Sequence, residues 1–254
     1  MGRSGPEVRD IYYRRAKEEG WRARSAFKLL QIDEEVNLFE NVERCIDLCA
    51  APGSWSQVVS KRVWASSNKK DRVKIVSVDI QDMAPIDGVV QIKGDITKES
   101  TVEEIVKSLG GEQVQLILCD GASDVTGLHD MDEYIQSGLL LSALNVAMRL
   151  LEPGGTFLAK FFKGRHAFLT HAQFRVFFSS VQFIKPTSSR SHSMESFIVC
   201  ERFKLPIGYA LKSQALLEEP GEKRTLGGDG LALFVQSGDL SGFDEILGLE
   251  SNDS

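Results

Sequence analysis

Four acidic residues fall at or just past the ends of apolar, strand-like runs: Asp47 in "RCIDLCA", Asp79 in "KIVSVDI", Asp95 in "GVVQIKGDI" and Asp120 in "VQLILCDGA". If the runs are neighbouring parallel strands, all four carboxylates come to one rim of a sheet. A rim of carboxylates repels phosphate. The turn after the first run, "DLCAAPGSWSQ" (residues 47–57), holds one glycine, Gly53. A dinucleotide site would carry G-x-G-x-x-G there and aim several backbone amides at a pyrophosphate. The pattern therefore speaks against NAD and ATP, and for a nucleoside ligand without phosphate and with some positive charge. S-adenosylmethionine has those properties: a sulfonium, an α-amino group, ribose hydroxyls and an adenine edge. Gly53 would let the backbone approach the methionine end. Asp79 would accept from the ribose hydroxyls, Asp95 and the backbone of Ile96 would read the adenine edge, and Trp55 would supply a flat apolar wall. Singly, each acid reads as a cap or turn residue; four at successive strand ends do not.

The elements that must position these residues alternate along the chain. Strand-like runs occupy residues 44–50, 74–80, 88–96, 114–122, 156–162, 181–186 and 195–203. Between them, helical patterns begin at Ser54 and cover residues 101–109, 131–151 and 167–179, with "EPGG" (152–155) ending the long one. Such alternation predicts a parallel sheet covered on both faces by helices. Ligands in that architecture bind beyond the carboxyl ends of the strands. Residues 65–71 read as a polar loop, and the pattern lapses after residue 212.

The 254 residues are 42% hydrophobic and 26% charged, an ordinary globular composition with no apolar run long enough for a membrane span. The polar start "MGRSGPEV" lacks a secretory signal, which leads us to expect a cytoplasmic protein. Cys45, Cys49, Cys119 and Cys200 lie in or beside strand-like runs without a CxxC, and the four histidines show no ligand spacing, so no metal is expected. The net charge of −6 is unevenly spread: residues 1–30 carry eight Arg/Lys against four Asp/Glu, residues 214–254 two against nine. A basic arm suggests a polyanionic partner; an acidic tail does not. The expected layout is a basic arm over residues 1–30, the α/β domain over 31–212 and an acidic extension over 213–254. The apolar clusters of "LALFVQSGDLSGFDEILGL" (231–249) suggest that the extension docks on its own domain or on a partner.

Longer stretches carry a resemblance: "DIYYRRAKEEGWRARSAFKLLQID" (10–33), "DLCAAPGSWSQV" (47–58), "QIKGDIT" (91–97), "LCDGASDVTGLHDMDEY" (118–134), "PGGTFLAKFFKGR" (153–165) and "KPTSSRSHSMESFIVC" (185–200). Over residues 8–203 the chain resembles the FtsJ/RrmJ-like ribose 2′-O-methyltransferases, and most of all their eukaryotic tRNA anticodon-loop branch. The resemblance implies a Rossmann-like fold: a seven-stranded, mostly parallel sheet whose last strand runs antiparallel. It also implies S-adenosylmethionine, a tRNA substrate methylated at position 32, position 34 or both, and auxiliary partners, one a WD-repeat protein and one a large helical-repeat protein. The family's Lys-Asp-Lys-Glu catalytic set falls on Lys28, Asp120, Lys160 and Glu195, and its cofactor residues on Gly53, Trp55, Asp79, Asp95 and Asp120. Glu7, Ser123, Lys163 and Thr187 depart from the residues usual at those positions.

The chemistry implied is demanding. A ribose 2′-hydroxyl is a poor nucleophile, so the enzyme must orient it and take its proton. Lys160, at the end of the fifth strand-like run, is the expected base; Lys28 and Glu195 would hold it and the hydroxyl, with Asp120 between cofactor and reaction centre. RNA would lie over Arg9, Arg14, Arg15, Lys17, Arg22 and Arg24, with Tyr12, Tyr13 and Trp21 either stacking on bases or anchoring the first helix. Lys163, Arg165, Lys185 and Arg190 would extend that surface. The competing readings are an rRNA or mRNA-cap ribose methyltransferase and a catalytically silent RNA-binding scaffold subunit; the intact Lys28/Asp120/Lys160/Glu195 set argues against the latter.

Overall fold

The computed structural model describes residues 6–122, 129–164, 167–190 and 193–206, without the side chains of residues 6–10 and 129–131. The expectations placed on Arg9, Arg165, Ser123 and the acidic extension fall outside these, as does the Glu7 side chain.

In chain order the elements are α1 (Pro6–Glu18), α2 (Ala26–Val36), β1 (Arg44–Leu48), α3 (Ser54–Val59, continued by a π-turn over Ser60–Trp64), β2 (Lys74–Asp79) and β3 (Val89–Lys93). There follow α4 (Glu99–Leu109), β4 (Val114–Cys119), α5 (His129–Leu150), β5 (Leu151–Phe162), α6 (Ala167–Phe174), β6 (Phe178–Ile184) and β7 (Glu195–Phe203). The seven strands form one sheet in the order β3-β2-β1-β4-β5-β7-β6. β1 to β5 pair in parallel, and β7 runs antiparallel to both β5 and β6. The order reverses between β1 and β4, and in such sheets ligands bind at the carboxyl rim of that switch point.

Continuous apolar runs at the centre of the sheet follow from its double cover. On one face, Ile46, Val76, Ile117 and Phe157 pack beneath α4 and α5 through Ile105, Leu140, Leu144 and Ala147. On the other, Cys45, Ile75, Leu118, Leu158 and Phe197 pack beneath α2 and α3 through Leu29, Ile32, Trp55 and Val58. The division expected at residue 30 thus falls inside α2, whose Ala26, Leu29 and Ile32 are wholly buried. α1 and the linker after it precede that core and dock on it, Tyr12 against Phe27 and Trp21 against the second cluster.

Two boundaries lie five residues from where the sequence put them. "EPGG" lies inside β5 rather than ahead of it: Val114 pairs with Leu151 and Leu116 with Thr156, so Pro153, Gly154 and Gly155 form a bulge. The helix expected to reach residue 179 ends at Phe174, because Phe178 belongs to β6 and packs in a core cluster with Phe157 and Phe174. That cluster fixes where the helix must stop. Among the described residues, no helix is long and apolar enough to cross a membrane.

Candidate active site

The turn between β1 and α3 begins at Cys49, which takes a left-handed φ of 55°, and ends at Gly53 with φ 100°. The positive φ is what favours glycine at Gly53; a Cβ there would lie 2.6 Å from Arg22 Nη1 and 3.0 Å from Ile86 Cδ1, both ends of side chains that can shift. Arg22, expected on the RNA face, instead reaches across this turn. It donates from Nη1 to Pro52 O (3.1 Å) and from Nη2 to Pro85 O (2.9 Å), tying the turn to the β2–β3 loop.

The acids divide into two layers. Asp79 ends β2 and accepts from Ala51 N and Gln81 N, each at 2.8 Å, which fixes the carboxylate beside the turn and leaves two lone-pair sites. Asp95 accepts from the backbone N–H of Thr97 (2.9 Å) and its hydroxyl (2.8 Å); these bonds, backbone first, hold its pKa below the usual range. Ile96 beside it is buried. Asp47 does not reach the rim. It is fully buried beneath the turn, where Ser56 Oγ donates to its Oδ2 (2.5 Å), while its Oδ1 has no hydrogen-bond partner. Burial above all pushes its pKa up to about 7, against the Ser56 bond and with help from the charges of Asp120 and Asp79. Trp55 is likewise not an open wall. Its ring is 2% exposed, lies 5.7 Å from Phe197, and its Nε1 donates to Ser25 O (2.9 Å). What it can offer a ligand is its backbone N–H, in the first helical turn where amides lack an internal acceptor.

The other residues of the predicted set meet across the ends of β4, β5 and β7. Lys160 Nζ lies 2.8 Å from Asp120 Oδ1, donates to Asp120 O (2.9 Å) and lies 3.7 Å from Glu195 Oε2. Lys28, from α2, donates to the same Glu195 Oε2 at 2.7 Å. The structure thus joins Lys28, Glu195, Lys160 and Asp120 in one unbroken chain. Burial disfavours the charged Lys160, but the charge and hydrogen bond of Asp120, with Glu195, outweigh it and raise its pKa above the lysine norm. Burial likewise opposes the Glu195 carboxylate, and Lys28, Lys160 and the Ser189 bond together bring its pKa below the usual value.

Three positioning residues escaped the sequence reading. Ser189 Oγ donates to Glu195 Oε1 (2.8 Å). Gln31 Oε1 accepts from both N and Oγ of Ser188 (3.0 and 2.9 Å), pinning the β6–β7 loop to α2. Gln136, buried on α5, donates from Nε2 to Gly121 O (3.0 Å) and Lys160 O (3.2 Å), holding the ends of β4 and β5 together. Ser188 and Ser189 stood within the "KPTSSRSHSMESFIVC" stretch and Gln31 within "DIYYRRAKEEGWRARSAFKLLQID"; nothing in the sequence marked Gln136.

On the arm, Tyr12 anchors, tilted against Phe27 with centroids 5.4 Å apart, whereas Tyr13 is 53% exposed with Lys17 above its ring. Trp21 sits beneath Lys61, 3.8 Å from the ring centroid. Arg24 donates to Ser188 O (2.8 Å), bracing the same loop that carries Ser189. Arg14, Arg15, Lys17, Lys163, Lys185 and Arg190 are exposed.

The sequence profile of FtsJ-like methyltransferases matches residues 21–203, most of the chain. The chain belongs to the FtsJ-like methyltransferase family. A Homo sapiens tRNA (cytidine(32)/guanosine(34)-2′-O)-methyltransferase is 51% identical over 249 residues, 96% of this chain and 74% of that one. The protein of the same name from Schizosaccharomyces pombe is 49% identical over 250 residues, 96% of this chain and 86% of that one. A Plasmodium falciparum crystal structure described as a ribosomal RNA methyltransferase superposes with a TM-score of 0.64 at 26% identity, covering 72% of this chain and 98% of that one. The methyl donor of the family is S-adenosylmethionine, and the site fits it. The glycine turn permits close approach, Asp79 keeps two acceptor sites for a diol, and Asp95 and Asp120 suit a cationic nucleoside rather than a phosphate.

Proposed function

We propose that this chain is a tRNA ribose 2′-O-methyltransferase of the anticodon loop, acting at position 32, position 34 or both. The observation that carries the reading is the unbroken Lys28–Glu195–Lys160–Asp120 chain at the carboxyl rim. The names of the relatives that share about half of its residues point to the substrate. The Plasmodium falciparum protein would point to rRNA, but at 26% identity it is the more distant relative.

In this reading Gly53, Trp55 through its backbone, Asp79, Asp95, Ile96 and Asp120 hold the cofactor. Bound there, it supplies an electrophilic methyl group and a positive sulfonium whose charge favours a neutral lysine nearby. Lys160, poised between two carboxylates, orients the 2′-hydroxyl and takes its proton. Lys28 and Ser189 grip the two oxygens of Glu195, so that its carboxylate stays aimed at Lys160. Asp120 fixes Lys160 from the cofactor side. The exposed cations of α1 and of the β5–α6 and β6–β7 loops receive the RNA backbone, with Tyr13 as a stacking surface.

We further propose a cytoplasmic location, a contribution to translation through the anticodon loop, and completion by a WD-repeat or large helical-repeat partner, on family resemblance. We also propose a layout of a basic arm ending ahead of α2, the methyltransferase domain after it and an acidic extension over 213–254. The test is transfer of labelled methyl to unmodified tRNA, with and without such a partner, followed by mapping of 2′-O-methylated positions. Methylation of rRNA alone, or no transfer with any RNA, would overturn the reading.

A further inference from the structure

We propose that Arg22 is the cation that receives the carboxylate of the cofactor's methionine end. The inference rests on the cofactor reading of the β1–α3 turn given above. Among the described residues, the charged side chains that hydrogen-bond to residues 49–57 are Asp47, Asp79 and Arg22. Asp47 lies buried beneath the turn, so Asp79 is the carboxylate at its surface, and it repels a carboxylate. The methionine end carries both signs, so the turn needs a cation as well.

The geometry supplies one. Arg22 Nη1 lies 2.6 Å from the point a Gly53 Cβ would occupy, directly over the residue whose backbone the methionine end must approach. The guanidinium spends one donor on Pro52 O and one on Pro85 O. Three of its five N–H groups remain, in a fork that matches a carboxylate. No carboxylate of a described residue pairs with it. Nor is the side chain swinging on a loose arm. Arg22 N donates to Gln57 Oε1 (2.8 Å) and Gln57 Nε2 donates back to Gly20 O (3.1 Å), so the linker is docked on α3.

The experiment compares two ligands that differ only in the group at issue: S-adenosylmethionine and decarboxylated S-adenosylmethionine, which keeps the sulfonium, ribose and adenine. Affinities are measured by calorimetry for the full chain, Arg22→Gln and Arg22→Lys. Arg22→Gln, which retains a donor for the loop carbonyls, should bind S-adenosylmethionine about tenfold or more weaker. It should bind the decarboxylated form as the unmodified chain does. Arg22→Lys should lose less, because it keeps charge but not the fork. Equal losses for both ligands would make Arg22 a brace between two loops and overturn the assignment. Unchanged S-adenosylmethionine affinity with weakened tRNA binding would overturn it in favour of an RNA contact. No S-adenosylmethionine binding by the unmodified chain would overturn the cofactor reading itself, and the assignment with it.

Discussion

Replacing Lys160 separates a base from a fixed positive charge. Its Nζ is held by Asp120 Oδ1 at 2.8 Å and Asp120 O at 2.9 Å, with Glu195 Oε2 at 3.7 Å. Burial works against the ammonium, yet the carboxylates prevail and the pKa lies above the ordinary lysine value. A base with so high a pKa is almost wholly protonated near pH 7. Its neutral fraction grows about tenfold per pH unit below the pKa, so single-turnover methyl transfer should rise about tenfold per unit from pH 6 upward. The slope should end at the apparent pKa of the loaded cluster, which belongs to the coupled groups together. Lys160→Ala should lower the rate at pH 8 by about 10² to 10⁴, the usual worth of a positioned proton acceptor. Lys160→Arg keeps the charge but cannot release a proton, so it should fall as far and lose the slope. Alanine also leaves Asp120 and Glu195 short of a cation. Breaking a fully buried pair costs about 3–5 kcal/mol, and the partly wet side chains here should bring that to about 1–3 kcal/mol in urea unfolding. The assay is transfer of labelled methyl to unmodified tRNA over pH 6–10, with bound cofactor measured separately. If Lys160→Arg turns over near-normally and the unmodified enzyme shows a flat profile, Lys160 is a fixed charge. Proton acceptance must then move to Lys28 or to water.

Asp79→Ala and Asp95→Ala should each weaken S-adenosylmethionine by about ten- to a hundredfold in calorimetry, and unchanged affinity in both would remove them from the cofactor site. Asp79→Ala should also lower stability, since Ala51 N and Gln81 N lose their acceptor. Asp47, with a folded-state pKa of about 7, holds a proton that the unfolded chain releases near pH 4. Its stabilising effect is therefore complete below about pH 4 and is lost as pH rises to 7, by at most about 4 kcal/mol. Asp47→Asn should gain on the unmodified chain by that trend in urea unfolding between pH 4.5 and 8, and a difference independent of pH would contradict it. Ser189→Ala should lower kcat several-fold with little change in KM and shift the pH profile, because Glu195 Oε1 loses its donor. Ser189→Thr should restore both, and an effect on tRNA affinity alone would make Ser189 part of the RNA surface instead.

The strands were legible because each central one is buried on both faces and reads as a short apolar run between turn signals. Register was not legible, and it explains the misplacing of Asp47. Asp47 pairs with Ser77 and Leu118, so it sits two residues below Asp79 on β2 and Asp120 beyond β4. At about 3.3 Å per residue that puts it about 6.6 Å beneath the rim. The same ladder brings Lys160 and Glu195 together at the other end. Lys160 pairs with Phe197, two residues from Glu195, so Lys160 and Glu195 are diagonal neighbours on one face of an antiparallel pair. Lys28 lies 167 residues from its partner Glu195, a separation no local pattern spans, and it entered only through the family motif. Arg22 looked like one more cation of a basic arm, because composition reports charge and not where a linker docks.

The site is assembled from a rigid part and a docked part, and the two should respond differently to substrate. Asp120 and Lys160 are set by the sheet: their strands are hydrogen-bonded neighbours, and Gln136 clamps Gly121 O and Lys160 O from below. That half is fixed by backbone pairing and buried hydrogen bonds, the kind of support electrostatic preorganisation requires. Lys28 and Ser189 come from α2 and from the β6–β7 loop, which are joined by Gln31 to Ser188 and by Arg24 to Ser188 O. Both halves meet at Glu195, which touches Lys28 and Ser189 on one side and Lys160 on the other. Arg22 and Arg24 lie two residues apart on the linker from the basic arm. One braces the cofactor turn and the other the loop that aims Glu195. An RNA held by the arm would therefore reach the β1–α3 turn through Arg22 and the loop that aims Glu195 through Arg24.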